Sequence, residues 1–231
     1  MTNTQDKLIV ALDLPSYDEA RVLVDRLGDT VTFYKIGLEL LFSDGLSLAR
    51  ELKNDGKRVF LDLKFLDIAN TVERAVASAA SLGVDLLTVH GHDTKTLKAA
   101  VRGRAGSNLK LLSVTVLTSL DQADLDEQGL ATTPGDLVLR RARLARAADF
   151  DGVIASGQEA AGVRSETGPG FLIVTPGIRL PGGDAGDQSR VTTPEQALRS
   201  GADHLVVGRP INAAEDPKAA AEAFLAHIAS A

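Results

Sequence analysis

The chain has 231 residues, of which 44% are hydrophobic and 24% charged, and its formal net charge is −6 at pH 7. Its length suits one large globular core or two small ones. The acidic excess argues against a general nucleic-acid surface, although a few local cations can still bind a small anion. Cys is absent, which excludes a disulfide framework and a thiolate metal site.

Membrane and export signals are also missing from the sequence. No apolar run reaches the roughly 18 residues of a membrane helix, and the first residues, MTNTQDK, lack the core of a signal peptide. Four His without any Cys argue against a dedicated transition-metal site. We therefore expect a cytoplasmic protein with neither a membrane nor a nucleic-acid partner.

Short apolar runs alternate with helical segments along the whole chain. The predicted strands are 8–14, 33–40, 59–65, 86–90, 109–117, 152–156, 171–175 and 204–207. The predicted helices are 17–27, 43–54, 68–82, 94–101, 123–128, 135–148, 158–163, 193–199 and 217–228. Eight such repeats predict a closed α/β barrel, the (β/α)₈ or TIM barrel. A doubly wound open sheet is the alternative, but no G-x-G-x-x-G follows the first run. No linker divides the chain, so we predict one domain over residues 1–231.

The third predicted strand carries charged side chains among apolar ones. Side chains on a strand alternate between two faces, so Asp62 and Lys64 should share a face with Phe60. Such groups are costly to bury unless they are paired or used. Asp67 follows where the strand should end. One interpretation is a structural ion pair with Asp67 as a helix N-cap, and the other is a functional site.

Functional residues of such a barrel lie at the carboxyl ends of its strands. The polar residues predicted at these ends are Asp13, Lys35, Asp62, Lys64, Thr118, Ser156 and Arg209. Two Lys and two Asp would then converge in one barrel mouth. Charges that alternate in sign in this way indicate an arranged network and not four separate solvated strand ends.

The last two strand ends predict anion binding. Gly208 lets backbone N–H groups approach a ligand closely, and Arg209 supplies a forked cationic donor. The loop at about 179–192 contains Arg179 and Gln188 among several Gly residues. Its composition suits a mobile lid over a phosphate, and an ordinary flexible loop is the alternative.

These residues carry a family resemblance. The segment 62–71, DLKFLDIANT, closely resembles the D-x-K-x-x-D-I-x-N-T signature of the orotidine 5′-monophosphate decarboxylase family. Similar motifs follow that family's order: ALD at 11–13, KIG at 35–37, LTS at 117–119, TPGIR at 175–179, GDQ at 186–188 and VVGR at 206–209. Many members have His at the position of Leu66 and Pro at that of Ala69, from which we expect altered loop packing.

The resemblance implies decarboxylation of orotidine 5′-monophosphate to uridine 5′-monophosphate, the last step of de novo pyrimidine nucleotide synthesis, without metal or organic cofactor. It implies that Lys64 donates a proton to pyrimidine C6, with Asp62 and Asp67 flanking it. It also implies that Asp13 and Lys35 complete the charge network. The residues implied to bind substrate are Asp13 and Lys35 at the ribose, Thr118 at the pyrimidine, and Arg179, Gln188, Gly208 and Arg209 at the 5′-phosphate.

The resemblance also implies a homodimer with composite active sites. Asp67, Ile68 and Thr71 would reach into the site of a second subunit. Two other functions stay open. A Mg²⁺-dependent sugar-phosphate decarboxylase, of the 3-keto-L-gulonate 6-phosphate type, shares the D-x-K-x-x-D core. The I-x-N-T continuation and the pair of Arg179 and Gln188 in this chain favour the nucleotide substrate. A catalytically silent nucleotide-binding barrel would be expected to lose Lys64 or an Asp partner, and all are present.

Overall fold

The computed structural model describes residues 4–183 and 190–231. Eight parallel strands pair in chain order and close into a barrel, with the eighth strand beside the first. The strands are β1 (Leu8–Ala11), β2 (Phe33–Gly37), β3 (Arg58–Phe65), β4 (Leu86–His90), β5 (Lys110–Val114), β6 (Gly152–Ile154), β7 (Leu172–Thr175) and β8 (His204–Val207). The predicted (β/α)₈ barrel is confirmed, and the open-sheet alternative is wrong.

Helices connect the strands on the outside of the barrel. They are α1 (Thr4–Lys7), α2 (Tyr17–Leu27), α3 (Leu38–Leu41), α4 (Gly45–Asn54), α5 (Ala69–Ser81), α6 (Thr94–Gly103), α7 (Gln122–Glu127), α8 (Pro134–Ala147), α9 (Ala160–Thr167), α10 (Pro194–Arg199), α11 (Arg209–Asn212) and α12 (Pro217–Ala229). Helix α2 shows why local sequence sets their bounds. The Ser16 side chain accepts a hydrogen bond from Glu19 N, and Gly28 ends the helix at a φ of 52°. None of the described helices is long and apolar enough to cross a membrane.

Several local features differ from the prediction. The run 8–14 is a strand only from Leu8 to Ala11, and the run 152–156 is a strand only from Gly152 to Ile154. The run 33–40 is a strand only to Gly37, after which α3 begins, and the run 109–117 is a strand only from Lys110 to Val114. The helices α1 and α11 were not predicted. Each has four residues, which is too short to show a helical period in the sequence.

Two apolar layers hold the barrel together. The larger one lies between strands and helices. The smaller one fills the barrel interior with buried side chains from seven strands, namely Ile9, Ala11, Phe33, Phe60, Leu86, Leu112, Val174 and Val206. Because strand side chains alternate, the next inward positions along β2 and β3 are those of Lys35 and Asp62. The charged residues therefore lie directly above a closed apolar floor.

Strand β3 is irregular at its carboxyl end. Its pairing with β4 runs from Leu61↔Leu87 to Phe65↔Val89, so four residue steps on β3 oppose two on β4. Within this bulge Lys64 has a φ of 49°, a left-handed conformation that non-glycine residues rarely adopt. The predicted strand is therefore buried only in its first half, and it is partly exposed from Asp62 onwards.

Candidate active site

A cavity of about 530 Å³ opens at the carboxyl ends of the strands. Eight of the predicted site residues line it. Four form its charged side, namely Asp13, Lys35, Asp62 and Lys64. Four others lie elsewhere on its wall, namely Thr118, Arg179, Gly208 and Arg209. The barrel thus brings together residues that are up to 196 positions apart, from 13 to 209.

The four charged residues form one alternating chain. Lys35 Nζ donates to Asp13 Oδ1 at 2.8 Å and lies 3.6 Å from Asp62 Oδ2. Lys64 Nζ donates to the same Asp62 oxygen at 2.8 Å. Lys35 is only 7% exposed, whereas the Lys64 side chain is 31% exposed at the cavity. The order is carboxylate, ammonium, carboxylate, ammonium, and Lys64 is the more accessible of the two ammonium groups.

Gly37 makes room for this chain. A Cβ atom at this position would lie 2.9 Å from Asp13 Oδ1 and 2.9 Å from Lys35 Nζ. Those two atoms are hydrogen-bonded to each other, so a side chain at position 37 would have to displace them from this contact. The spacing of Lys35 and Gly37 on β2 therefore follows from the packing of the charged groups.

Asp62 is held in its ionised form. Burial by itself raises the pKa of Asp62, but the charges of Lys35 and Lys64 outweigh burial, and hydrogen bonds from Lys64 and Thr88 act in the same direction. The pKa of Asp62 is therefore below its ordinary value of 3.8. A carboxylate at this position is fixed, desolvated and negatively charged at neutral pH.

Thr88 was missed by sequence analysis. It lies on β4 and is fully buried. Its Oγ1 donates to Asp62 Oδ1 at 2.9 Å and accepts from the backbone N–H of Lys64 at 2.9 Å. The available signal was a polar residue at the inward position between Leu86 and His90 on an otherwise apolar strand.

The predicted anion-binding residues of the cavity follow the carboxyl ends of β7 and β8. Gly208 precedes α11, whose first residue is Arg209. The loop that begins at Arg179 is joined at its two ends, because Arg179 N donates to Thr192 O at 3.0 Å and Thr192 N donates to Gly177 O at 3.2 Å. Gln188 lies outside the described residues.

The segment after β3 is exposed and does not line the cavity of its own chain among the described residues. Asp67, Ile68 and Thr71 are exposed, and none of them is among the described residues that line the cavity. Asp67 Oδ1 accepts from Ile68 N at 2.6 Å. Ile68, and not Asp67, occupies the N-cap position of α5, so the N-cap interpretation is wrong. Within one chain Lys64 pairs with Asp62, and the exposed Asp67 does not join this charged chain.

Two other polar residues lie near the mouth without lining the cavity. Ser156 is 1% exposed, and its Oγ accepts from Gln158 N at 3.1 Å, which stabilises a turn. His90 ends β4, and its ring lies 4.8 Å from that of His92, measured between centroids. Burial, together with the nearby His92 and Arg141, lowers the pKa of His90 from 6.5 to about 4. His90 is therefore a neutral imidazole at pH 7.

Comparisons with known proteins agree with this geometry. A family model described as Orotidine 5′-phosphate decarboxylase / HUMPS family matches residues 6–224. Proteins named orotidine 5′-phosphate decarboxylase from Methylobacterium sp. (strain 4-46) and Afipia carboxidovorans are 56% and 54% identical, each over 230 residues. These alignments cover 98% and 100% of this chain and 97% of each relative.

A solved structure shows the same fold. The crystal structure of orotidine 5′-phosphate decarboxylase from Lactobacillus acidophilus superposes with a TM-score of 0.84 at 38% sequence identity. The superposition covers 96% of this chain and 98% of that one. From its sequence, its barrel and the charged chain at its mouth, the protein belongs to the orotidine 5′-phosphate decarboxylase / HUMPS family.

Proposed function

We propose that the protein decarboxylates orotidine 5′-monophosphate to uridine 5′-monophosphate and CO₂, as the last step of de novo pyrimidine nucleotide synthesis. The observation that carries this proposal is the alternating chain from Asp13 to Lys64, which ends in an accessible ammonium above an apolar barrel floor. Relatives of this name that match over the whole chain support it.

Lys64 is the proposed proton donor. When the bond between pyrimidine C6 and the carboxylate breaks, its electron pair stays on C6 and CO₂ leaves. An ammonium already held in place stabilises this negative charge without reorganisation and then delivers a proton to C6. Its contact with Asp62 at 2.8 Å supplies that preorganisation. The amine regains its proton from water before the next turnover.

Asp62 has a second proposed effect. Its carboxylate is ionised and largely shielded from solvent, so a substrate carboxylate beside it is repelled. That repulsion disappears when the group leaves as neutral CO₂, which destabilises the bound substrate relative to the transition state. We assign the larger share of the rate enhancement to stabilisation of the charge on C6, because preorganised electrostatic effects are usually the largest single contribution to catalysis.

The remaining cavity residues have proposed binding roles. Asp13 and Lys35 hold the ribose hydroxyls, and Thr118 contacts the pyrimidine. The proposed 5′-phosphate ligands are Arg179, Gln188, Gly208 and Arg209. The loop at 179–192 is the proposed lid, and its joined ends support a hinge at Arg179 and Thr192. Phosphate contacts remote from C6 then supply energy for closure and alignment.

The proposed assembly is a homodimer with composite sites. Of the six large apolar side chains that are exposed among the described residues, five follow the carboxyl ends of strands, namely Leu38, Phe42, Leu66, Ile68 and Leu117. An apolar rim around the barrel mouth supports a partner seated there. In this dimer Asp67 of the partner subunit, with the partner's Ile68 and the partner's Thr71, would complete each site beside Lys64.

Three broader expectations belong to the same proposal. Residues 1–231 form one domain, which is supported by the pairing of β1 with β8 from opposite ends of the chain. The protein acts in the cytoplasm. The reaction uses no metal and no organic cofactor, because Lys64 and Asp62 supply the charge and the proton that the chemistry needs.

The decisive experiment measures the loss of substrate absorbance after EDTA-treated protein is mixed with orotidine 5′-monophosphate. Turnover by the wild type, and none by a folded Lys64→Ala variant, is the expected result. Near-normal turnover by Lys64→Ala would refute the proton-donor role. Absence of turnover by the folded wild type would refute the proposed function. Activity on a sugar phosphate only in the presence of Mg²⁺ would then support the alternative, a sugar-phosphate decarboxylase with the same D-x-K-x-x-D core.

A further inference from the structure

The bulge in β3 leaves one backbone group to be satisfied by a side chain. Between Leu61 and Phe65 the regular pairing with β4 is interrupted. The N–H of Lys64 lies in this interval and donates to Thr88 Oγ1 at 2.9 Å instead of to a carbonyl of β4. A side-chain hydroxyl therefore replaces a ladder hydrogen bond at the residue with the left-handed backbone.

The same hydroxyl reaches the charged chain. Thr88 Oγ1 donates its only hydrogen to Asp62 Oδ1 at 2.9 Å, while Asp62 Oδ2 accepts from Lys64 Nζ at 2.8 Å. The three residues thus form a closed ring of contacts, which joins the Lys64 backbone, the Thr88 hydroxyl, the Asp62 carboxylate and the Lys64 ammonium. Thr88 is 0% exposed, so water does not substitute for it.

We propose that Thr88 is a positioning residue for the decarboxylation, because it fixes the Asp62 carboxylate and the Lys64 backbone so that the Lys64 ammonium points at the reacting carbon. This inference rests on the proposed function. Thr88 does not line the cavity among the described residues, so it acts through Asp62 and Lys64 and does not touch substrate itself.

The test compares three side chains at position 88, two with the hydroxyl group and one without it. Thr88→Val keeps the size of the side chain and removes both hydrogen bonds, whereas Thr88→Ser keeps the hydroxyl and removes only the methyl group. We expect Thr88→Val to lower kcat roughly 10- to 100-fold, since small misplacements of a reacting group have effects of this size. KM should change less than about threefold, because the phosphate contacts are untouched. Thr88→Ser should restore kcat to near the wild-type value.

Thr167→Val is the matched control. Thr167 is also buried, and its hydroxyl donates to Val163 O at 2.8 Å. It ends α9, at the amino-terminal face of the barrel and away from the cavity. This variant loses a buried hydroxyl without disturbing the charged chain, so its kcat should equal that of the wild type. If valine at position 88 prevents folding, Thr88→Ala and Thr167→Ala make the same comparison.

Hydrogen exchange at the Lys64 amide provides a measurement that does not depend on turnover. We expect slow exchange in the wild type and in Thr88→Ser, and faster exchange in Thr88→Val. Three results would overturn the inference: equal kcat for Thr88→Val and Thr167→Val, failure of Thr88→Ser to restore kcat, or a change confined to KM. Absence of wild-type turnover would instead overturn the proposed function, and the catalytic role of Thr88 with it.

Discussion

Lys64 carries both the proposed chemistry and a strained backbone. Its φ of 49° lies in the left-handed region, which costs a non-glycine residue about 1–2 kcal/mol. A position that is unfavourable for folding but supplies the accessible ammonium of the cavity is typical of a functional site. Strain here should therefore be measurable apart from activity.

The positive φ predicts that glycine is more stabilising than alanine at position 64, the reverse of the usual order in a strand. Lys64→Gly should have a free energy of unfolding about 1 kcal/mol higher than Lys64→Ala, because glycine adopts positive φ without penalty. Urea unfolding of the two variants measures the difference. Lys110 is the control, since it is exposed, lies on β5 and has no positive φ. There the alanine variant should be the more stable one, and the same order at both positions would contradict the prediction.

His90 predicts a pH dependence of stability. Burial, with His92 and Arg141, lowers its pKa from 6.5 to about 4, so between these values the unfolded chain binds a proton that the folded chain does not. The stability that neutral His90 contributes is therefore present above about pH 6.5 and is lost as the pH falls towards 4. The free energy of unfolding should fall less in His90→Gln than in the wild type between pH 7 and 4.5. Parallel curves for the two proteins would refute this.

At the scale of elements, an aspartate recurs at the amino-terminal face of the barrel, directly before three of the four even-numbered strands. These residues are Asp85 before β4, Asp151 before β6 and Asp203 before β8. Each aspartate makes two hydrogen bonds to one residue of the preceding strand. Its backbone N–H donates to the carbonyl oxygen of that residue, and its Oδ2 accepts from the N–H of the same residue. The three partners are Val59, Leu111 and Ile173. Each aspartate also forms an ion pair with a cation from the crossover that leads into β3, β5 or β7. These cations are Lys53, Arg104 and Arg164. These hydrogen bonds and ion pairs attach β3, β5 and β7 to the loops that lead into the following strands.

Removal of one such carboxylate should destabilise the barrel. In Asp85→Ala the N–H of Val59 loses its 2.8 Å acceptor and Lys53 loses its partner, so we expect a loss of about 1–3 kcal/mol. Asp25→Ala is the control, because Asp25 pairs with Arg21 on the exposed face of α2 and is 59% exposed. The free energy of unfolding of Asp25→Ala should fall by less than about 0.5 kcal/mol. Equal losses in the two variants, measured by urea unfolding, would argue against the fastening role.

At the scale of the whole molecule, the proposed dimer predicts complementation between two inactive variants. Lys64→Ala and Asp67→Asn should each lack turnover alone. In a mixed dimer one composite site carries both changes and the other carries neither. An equal mixture after subunit exchange should therefore recover roughly a quarter of the wild-type turnover.

The control for complementation mixes Lys64→Ala with Asp62→Asn. Lys64 and Asp62 contact each other within one chain, so no site of that mixed dimer is intact and no turnover should return. Mass spectrometry of the intact dimers verifies that exchange has occurred. If mixed dimers of the Lys64→Ala and Asp67→Asn variants form without turnover, the sites are not composite.

Local sequence determined the repeat of strand and helix, because hydrophobic period, N-caps and terminal glycines act over a few neighbouring residues. For the same reason the bounds of α2, β4 and β8 agree with their prediction. The identity of the charged residues at the strand ends also follows from the sequence, since the alternation of side chains and the parallel barrel place those ends together.

Only the tertiary structure decided how these residues meet. The role of Thr88 depends on a bulge between β3 and β4, and the need for Gly37 depends on two charged side chains packed across it. The exposed position of Asp67 depends on where β3 ends. Each feature depends on the pairing and packing of strands against one another, and a short-range sequence pattern does not specify such contacts.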